Sequence, residues 1–411
     1  MPPEHVETLI IGGGQAGLAM SRMLSQRGLQ HLILERHRIA ERWHSERWDG
    51  LRFQGPNWTA RLPDFSFPDP DADTYATGRQ IADFITAYAD FIAAPVRCGV
   101  EVATLRQQAG ADGFIAETPG SRFTASNVVV ATCAFQRPVV PDLLAGESGL
   151  FQVHSSRYRN PQQLPPGAVL VIGAGNSGSQ IADELSRAGR RVFLSIGRHR
   201  RVPRHYRGRN LHWWMDVLGI TTTSPEKRGA DRSPIILTGA YGGYTVDFRQ
   251  FAARGIVLLG RAERAEPGVV HFAADLAERL AHGDAAFRTF LAAADAYVAR
   301  EGLEFPADPA AWTVTPDPPA LTGPPIRRLD LADEGIGAVV WGTGYAMDFG
   351  WIDIPVLGAG GAPLHHQGIT GIPGLYFLGL PYLSQFISSF IYGVGEDAAR
   401  LADHIARRMA A

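Results

Sequence analysis

The chain has 411 residues, room for two or three domains, and its 45% hydrophobic and 19% charged residues exclude disorder as the main state. A net charge of -2 argues against a general polyanion binder. Lys227 is the only lysine, which removes both a GKS/T phosphate loop and a plausible Schiff-base lysine.

Cys98 and Cys133 lie far apart, so neither a CxxC redox pair nor a cysteine-based zinc site is expected. So few cysteines fit a reducing compartment. Glu4 and Glu7 precede the first apolar run in place of the basic flank of a signal peptide. No stretch reaches the roughly 18 apolar residues of a membrane span. The expectation is a cytoplasmic protein with a small-molecule substrate and neither nucleic acid nor membrane as partner. A homodimer is compatible with it.

The first element is a β-rich run over 6–11, followed by Gly12, Gly14 and Gly17 in the order G-x-G-x-x-G. An amphipathic helical stretch carries Ala19, Met20, Met23 and Leu24, Gly28 ends it, and the next strand closes on Glu35. Strand, glycines, helix, strand and acid within about 30 residues are a specific signal for a dinucleotide site. The glycines let the backbone approach a pyrophosphate, the helix N-terminus adds partial positive charge, and Glu35 can accept from a ribose 2′-OH. Arg36 beside it joins the candidate cofactor-binding set.

The segment 128–141, with Ala131-Thr132-Cys133, is a short apolar strand followed by a small-residue turn. The next strand, over 168–172, opens a second glycine loop with Gly173, Gly175 and Gly178. No carboxylate stands near the position matching Glu35; Arg198, His199, Arg200, Arg201 and Arg204 crowd the region instead. An absent acid with nearby arginines is how this fold accepts a 2′-phosphate, which favours NADPH over NADH. Arg198 and Arg200 are the candidates, although for any single arginine here solvated surface is the stronger reading. Two loops, one with an acid and one with arginines, point to FAD and NADPH, with electrons passing from nicotinamide to flavin.

Further on, 275–299 is a helix candidate whose pattern reads as packing, and 306–325 is a proline-rich linker. A second small-residue turn follows an apolar strand at Gly342-Thr343-Gly344, where Thr343 and Gly344 fit a cofactor-side crossing. A strand over 372–380 and an amphipathic helix over 394–409 close the chain. The expected class is α/β, with two Rossmann-like dinucleotide-binding domains. A discontinuous FAD domain would take 1–160 and 330–411, and an inserted NADPH domain 161–329, with a substrate lid near 206–250. Trp213, Trp214, Tyr241 and Tyr244 in that lid suggest an apolar or aromatic substrate, or a lid packed on itself. His365-His366 has no clear third ligand, so no metal is expected.

In motif order, GGGQAGLAM, ERWHSERWDGLRF, LPDFSFP, YATGRQIADFITAYA, HSSRYR, GAGNSG and VPRHYRG resemble the class B flavin-dependent monooxygenases. That family comprises the flavin-containing monooxygenases, the plant YUCCA-type enzymes and bacterial relatives. The resemblance implies FAD, NADPH and O2, and insertion of one oxygen atom into a small organic substrate through a flavin C4a-(hydro)peroxide. The family fingerprint F-x-G-x-x-x-H-x-x-x-Y is half kept. His154 and Tyr158 match, whereas Ser148 and Leu150 occupy its first two positions. A structural role for His154 outweighs direct catalysis.

LRFQGPNW is similar to the stretch in which a side-chain amide faces the reacting edge of the flavin. Gln54 falls on that position, where the family more often has Asn, and Asn57 is the competing candidate. Trp43 and Trp48, with Arg47 between them, sit in the stretch that resembles the flavin-contacting loop. Two alternatives stay open: an NADPH oxidase or flavin reductase without oxygen transfer, and a non-catalytic flavin-binding redox sensor.

Overall fold

The computed structural model describes residues 2–69, 73–110, 112–147 and 149–410; Ser148, of the half-kept fingerprint, lies outside them. Two sheets organise the chain. In the first, Glu4–Ile11 runs parallel to His31–Glu35 on one side and to Arg122–Val130 on the other. Helix α1, Gln15–Ser25, makes the crossover between the first two strands. The sheet extends through Val96–Cys98 at one edge and the antiparallel strands Phe114–Glu117 and Thr104–Gln107 at the other. Leu375–Phe377 returns from the far end of the chain to pair in parallel with Arg122–Val130.

The second sheet is wholly parallel, in the order Phe151–His154, Ile336–Trp341, Ala168–Ile172, Val192–Ser195, Val257–Leu259. Its central strand again carries a glycine loop and a helix, here labelled α4, Asn176–Arg187. The strands Phe151–His154 and Ile336–Trp341, which border the expected domain junctions, both pair in this second sheet.

Side-chain alternation explains why these strands read as continuous apolar runs. Val169, Val171, Leu194 and Val340 enter one cluster, while Leu170, Ile172, Phe193, Val339 and Trp341 enter another on the opposite face. A parallel strand buried on both faces needs apolar residues at every position.

Three short helices, α2 (Glu41–Ser45), α5 (Leu211–Val217) and α6 (Phe248–Ala253), stand among the longer ones, and helix ends follow local chemistry. Thr77 caps α3, Gly78–Phe91, in a reciprocal capping box with Gln80. The closing helix α8, Val394–Ala410, opens with Glu396 and Asp397 and closes with Arg407 and Arg408, each complementing the helix dipole. The long helix α7, Leu276–Glu301, stops at left-handed Gly302.

Candidate functional site, two matching glycine loops and the seam between them

The two glycine loops are built alike. The Gly12 N–H donates to the Leu34 carbonyl at 2.9 Å and the Gly173 N–H to the Ser195 carbonyl at 3.2 Å. On the other flank, Ala131 N–H reaches Ile11 and Gly342 N–H reaches Ile172, both at 2.8 Å. A Cβ on Gly12 would stand 2.6 Å from the Ala131 carbonyl oxygen, and one on Gly173 would stand 2.6 Å from that of Gly342. A Cβ on Gly17 would meet the Gly12 oxygen at 1.9 Å, and one on Gly178 the Gly173 oxygen at 1.8 Å. These outer glycines serve close backbone packing.

The middle glycines differ. A Cβ on Gly14 or Gly175 would meet nothing within 4 Å. Each is the N-cap of its helix, α1 or α4, and neither helix start has a side-chain cap. Open space before an uncapped helix N-terminus suits a pyrophosphate.

In front of the first loop lies a cavity of about 760 Å³, within the roughly 300–1,000 Å³ usual for ligand sites. Gly12, Gly14, Glu35, Arg36 and Trp43 line it. The Glu35 carboxylate accepts from Gly13 N–H at 2.7 Å and His37 N–H at 2.9 Å, which holds it at the cavity wall. Arg36 is exposed, 4.0 Å from Glu101. The Arg47 guanidinium stacks 5.0 Å from the Trp43 ring.

The same cavity takes in residues that were not singled out from the sequence: Gln15, Arg42, Gln136, Arg157, Arg159 and Ser389. Gln15 Nε2 donates to the Ser389 carbonyl at 3.1 Å, joining the first loop to the segment before α8. Arg42 donates to the Gln136 carbonyl, and Arg159 to the carbonyls of Ser45 and Arg47. Gln15, Arg42, Arg157 and Arg159 had a signal, through their place inside the motifs GGGQAGLAM, ERWHSERWDGLRF and HSSRYR; Gln136 and Ser389 lie outside them.

The second loop lacks the acid. Register puts Ile196 where Glu35 stands in the first half, because Leu34 and Ser195 hold matching positions. Arg198, two residues on, is exposed, and no carboxylate pairs with it among the described residues. Arg200 Nε is spent on the Ser233 carbonyl at 2.9 Å. Arg201 is buried against Asp247 and Asp284 at 3.1 and 3.0 Å.

Comparison with known proteins places this architecture. The pyridine nucleotide-disulphide oxidoreductase family model matches residues 9–210. An uncharacterized CzcO-like oxidoreductase of Geobacillus kaustophilus is 31% identical over 404 residues, covering 97% of this chain and 98% of its own. The chain belongs to the class B flavin monooxygenase family. A probable indole-3-pyruvate monooxygenase, YUCCA1 of Arabidopsis thaliana, is 32% identical over 183 residues, 44% of each chain. A solved flavin-containing monooxygenase from Stenotrophomonas maltophilia shares the fold at a TM-score of 0.70 and 17% identity, covering 99% of both chains. The protein is therefore an oxidoreductase of that family. No helix among the described residues is long and apolar enough to cross a membrane.

Gln54 lies on the seam between the two loops. Its Oε1 accepts from Asn176 Nδ2 at 3.3 Å, and Asn176 is the first residue of α4 in the second loop. The Gln54 main-chain carbonyl accepts from Arg204 at 2.7 Å. Asn57 is placed elsewhere: buried, donating to Asp69 and Thr74 and accepting from Ala76 N–H at 2.7 Å, it clamps its own loop. Trp48 does not line the cavity either; it is buried in the core beneath the second sheet.

Thr343 and Gly344 lie beside the second loop, outside the lining of the large cavity. The Thr343 hydroxyl donates to the Val139 carbonyl, and the Gly344 carbonyl accepts from Val139 N–H at 3.0 Å. His154 Nε2 meets that same carbonyl at 3.0 Å, so the histidine ties the crossing. Burial holds it below its ordinary value, and the bonds assign the proton to Nε2. Cys133 keeps the turn that glycine makes at Gly344. Its φ is 65° against 81°, a left-handed backbone that costs a non-glycine residue roughly 1 kcal/mol.

The aromatic residues of 206–250 are also accounted for. Trp214 is fully buried, its ring edge-on to those of Trp213, Tyr297 and Phe305 and tilted against Tyr206, in a core under α7. Tyr244 donates to Asp183 at 2.7 Å, and Tyr241 is exposed with Arg187 over its ring at 4.0 Å.

Proposed function

We propose that this enzyme takes FAD at the first glycine loop and NADPH at the second, and transfers one oxygen atom of O2 to a small organic substrate. The observation that carries the reading is the exchange between the matched loops: Glu35 in one, Ile196 with unpaired Arg198 in the other. An acid selects a ribose 2′-OH and a free cation selects a 2′-phosphate. The open spaces before α1 and α4 supply places for two pyrophosphates. Reduced flavin, when bound, supplies the activation of oxygen at its C4a–N5 edge.

The chain's own residues orient and exclude. Glu35, Gly12 and Gly14 hold the adenine-ribose half, and Arg36 and Trp43 border it. Asn176 engages only the oxygen of the Gln54 amide, which leaves the Gln54 N–H donors for the reacting centre. Leu237 N–H caps the Asn176 side chain at 2.8 Å. A Cβ on Gly239 would stand 2.0 Å from the Phe53 carbonyl oxygen, so the 234–246 segment is pressed onto the seam and keeps water from it.

The test is anaerobic reduction by NADPH, then rapid mixing with oxygen while the flavin spectrum is recorded. A long-lived spectrum distinct from oxidised and reduced flavin supports oxygen transfer. It also justifies a screen of amines, sulfides, ketones and 2-oxo acids, the last because the YUCCA relatives are named for indole-3-pyruvate. Immediate return to oxidised flavin with stoichiometric hydrogen peroxide supports an NADPH oxidase.

A further inference from the structure

Arg204 is 2% exposed, and no carboxylate pairs with it among the described residues. Its Nε–H donates to the Tyr75 hydroxyl and one Nη to the Gln54 carbonyl, both at 2.7 Å. The guanidinium lies over the Tyr75 ring at 4.3 Å. The remaining nitrogen, Nη1, is buried with no acceptor.

The neighbours do not neutralise it. Asp73 is half-exposed and engaged by Asn210 at 2.9 Å and His205 at 3.4 Å. His212 is held neutral by its burial and by the Arg204 charge, and its Nδ1 meets Asn210 Oδ1 at 3.3 Å. Beyond it, Tyr392 has its ring 6.4 Å from that of His212, and its hydroxyl too is buried without a partner.

A cation and a hydroxyl thus flank one neutral histidine with unmet hydrogen bonds. An unsatisfied buried donor is costly, and more so when it is charged. A guanidinium fork is the donor geometry that a carboxylate fits. Through Gln54 and Asn176 the cation also stands at the seam where the nucleotide loop meets the candidate reacting centre.

We propose that Arg204 receives an oxyanion, the carboxylate of an organic acid substrate. This rests on the oxygenase reading above, and it makes the substrate an anion.

The experiment uses the FAD-loaded full chain and titrates phenylacetate against its uncharged counterpart phenylacetamide, read by flavin fluorescence. Wild type is expected to bind phenylacetate at least about tenfold more tightly. Arg204→Met should bring the two affinities together, and Arg204→Lys should keep part of the preference; the wild-type comparison stands even if neither variant folds. Equal affinities in wild type, or a full preference surviving both substitutions, would overturn the proposal. If the probes bind alike and Arg204→Lys weakens NADP⁺ instead, the oxyanion is a nucleotide phosphate and the substrate assignment falls. Flavin reduction by NADPH, followed in the same preparation, tests the oxygenase reading separately. Its failure with the carboxylate preference intact would remove the reaction and keep the anion site.

Discussion

Arg198 and Gln54 each keep side-chain hydrogen-bonding capacity that the described residues do not use. Arg198 is exposed beside the second loop, so its worth depends on a ligand phosphate. Arg198→Ala is expected to raise KM for NADPH by about tenfold while leaving NADH within about twofold, the loss of one charge-assisted contact. Steady-state KM values for the two nucleotides check this; equal losses would remove the 2′-phosphate assignment. Gln54 holds its oxygen on Asn176, and its amide N–H groups remain to donate. Gln54→Ala is expected to leave flavin reduction within about twofold and to increase hydrogen peroxide released per NADPH several-fold, since one deleted donor is worth about 1 kcal/mol. Unchanged coupling would place Gln54 outside the reacting centre. At this scale the sequence was a partial guide. It offered Trp48 on the same footing as Trp43 and kept Asn57 as a competitor to Gln54, because a residue's type does not say which way its side chain faces. Asn57 satisfies a buried loop, and Trp48 fills a core.

At the scale of elements, the loop glycines divide into two physical jobs that one motif writes identically. Gly178→Ala is expected to destabilise the fold by at least about 1–3 kcal/mol, since its Cβ would overlap the Gly173 carbonyl. Gly175→Ala enters open space with an extended backbone, φ −69°, and is expected to leave the melting temperature unchanged while weakening NADPH. Thermal melts paired with nucleotide titrations separate the two; a stable Gly178→Ala or a nucleotide-neutral Gly175→Ala contradicts the division. Elements of this kind were legible because their causes are local. Gly173 and Gly12 need left-handed backbone, and strands buried on both faces must be apolar throughout. The closing helix, expected over 394–409 and observed as Val394–Ala410, was legible for the same reason. The 206–250 segment was not. Trp213 and Trp214 pack against α7 and Phe305, partners that lie some 60 to 90 residues on and leave no mark near the tryptophans themselves.

For the whole molecule, buried histidines set an acid limit. Burial lowers His199 to about 4 and His212 to about 3, from an ordinary 6.5. Above 6.5 both are neutral folded or unfolded, so they add no pH dependence. As the pH falls below 6.5, the unfolded chain takes up protons that the folded chain refuses. Stability is then lost at up to about 1.4 kcal/mol per pH unit for each, until the folded values are reached. Denaturant midpoints are therefore expected to fall from about pH 6.5 downward, and His199→Leu should flatten that slope whatever it does to the midpoint. A midpoint independent of pH between about 7 and 5 would show that neither histidine stays neutral when folded.

The sequence by itself determined the two glycine loops, the acid in one and its absence from the other, and the family. These depend on backbone sterics and spacing within about 30 residues, which a chain carries wherever it folds. Only the tertiary structure decided that Arg204 pairs with no carboxylate among the described residues, that Trp48 belongs to a core, and that Gln54 meets Asn176. Whether a charge is paired, a ring enclosed or an amide half-engaged depends on side chains from distant segments, and those meet only once both sheets are in place.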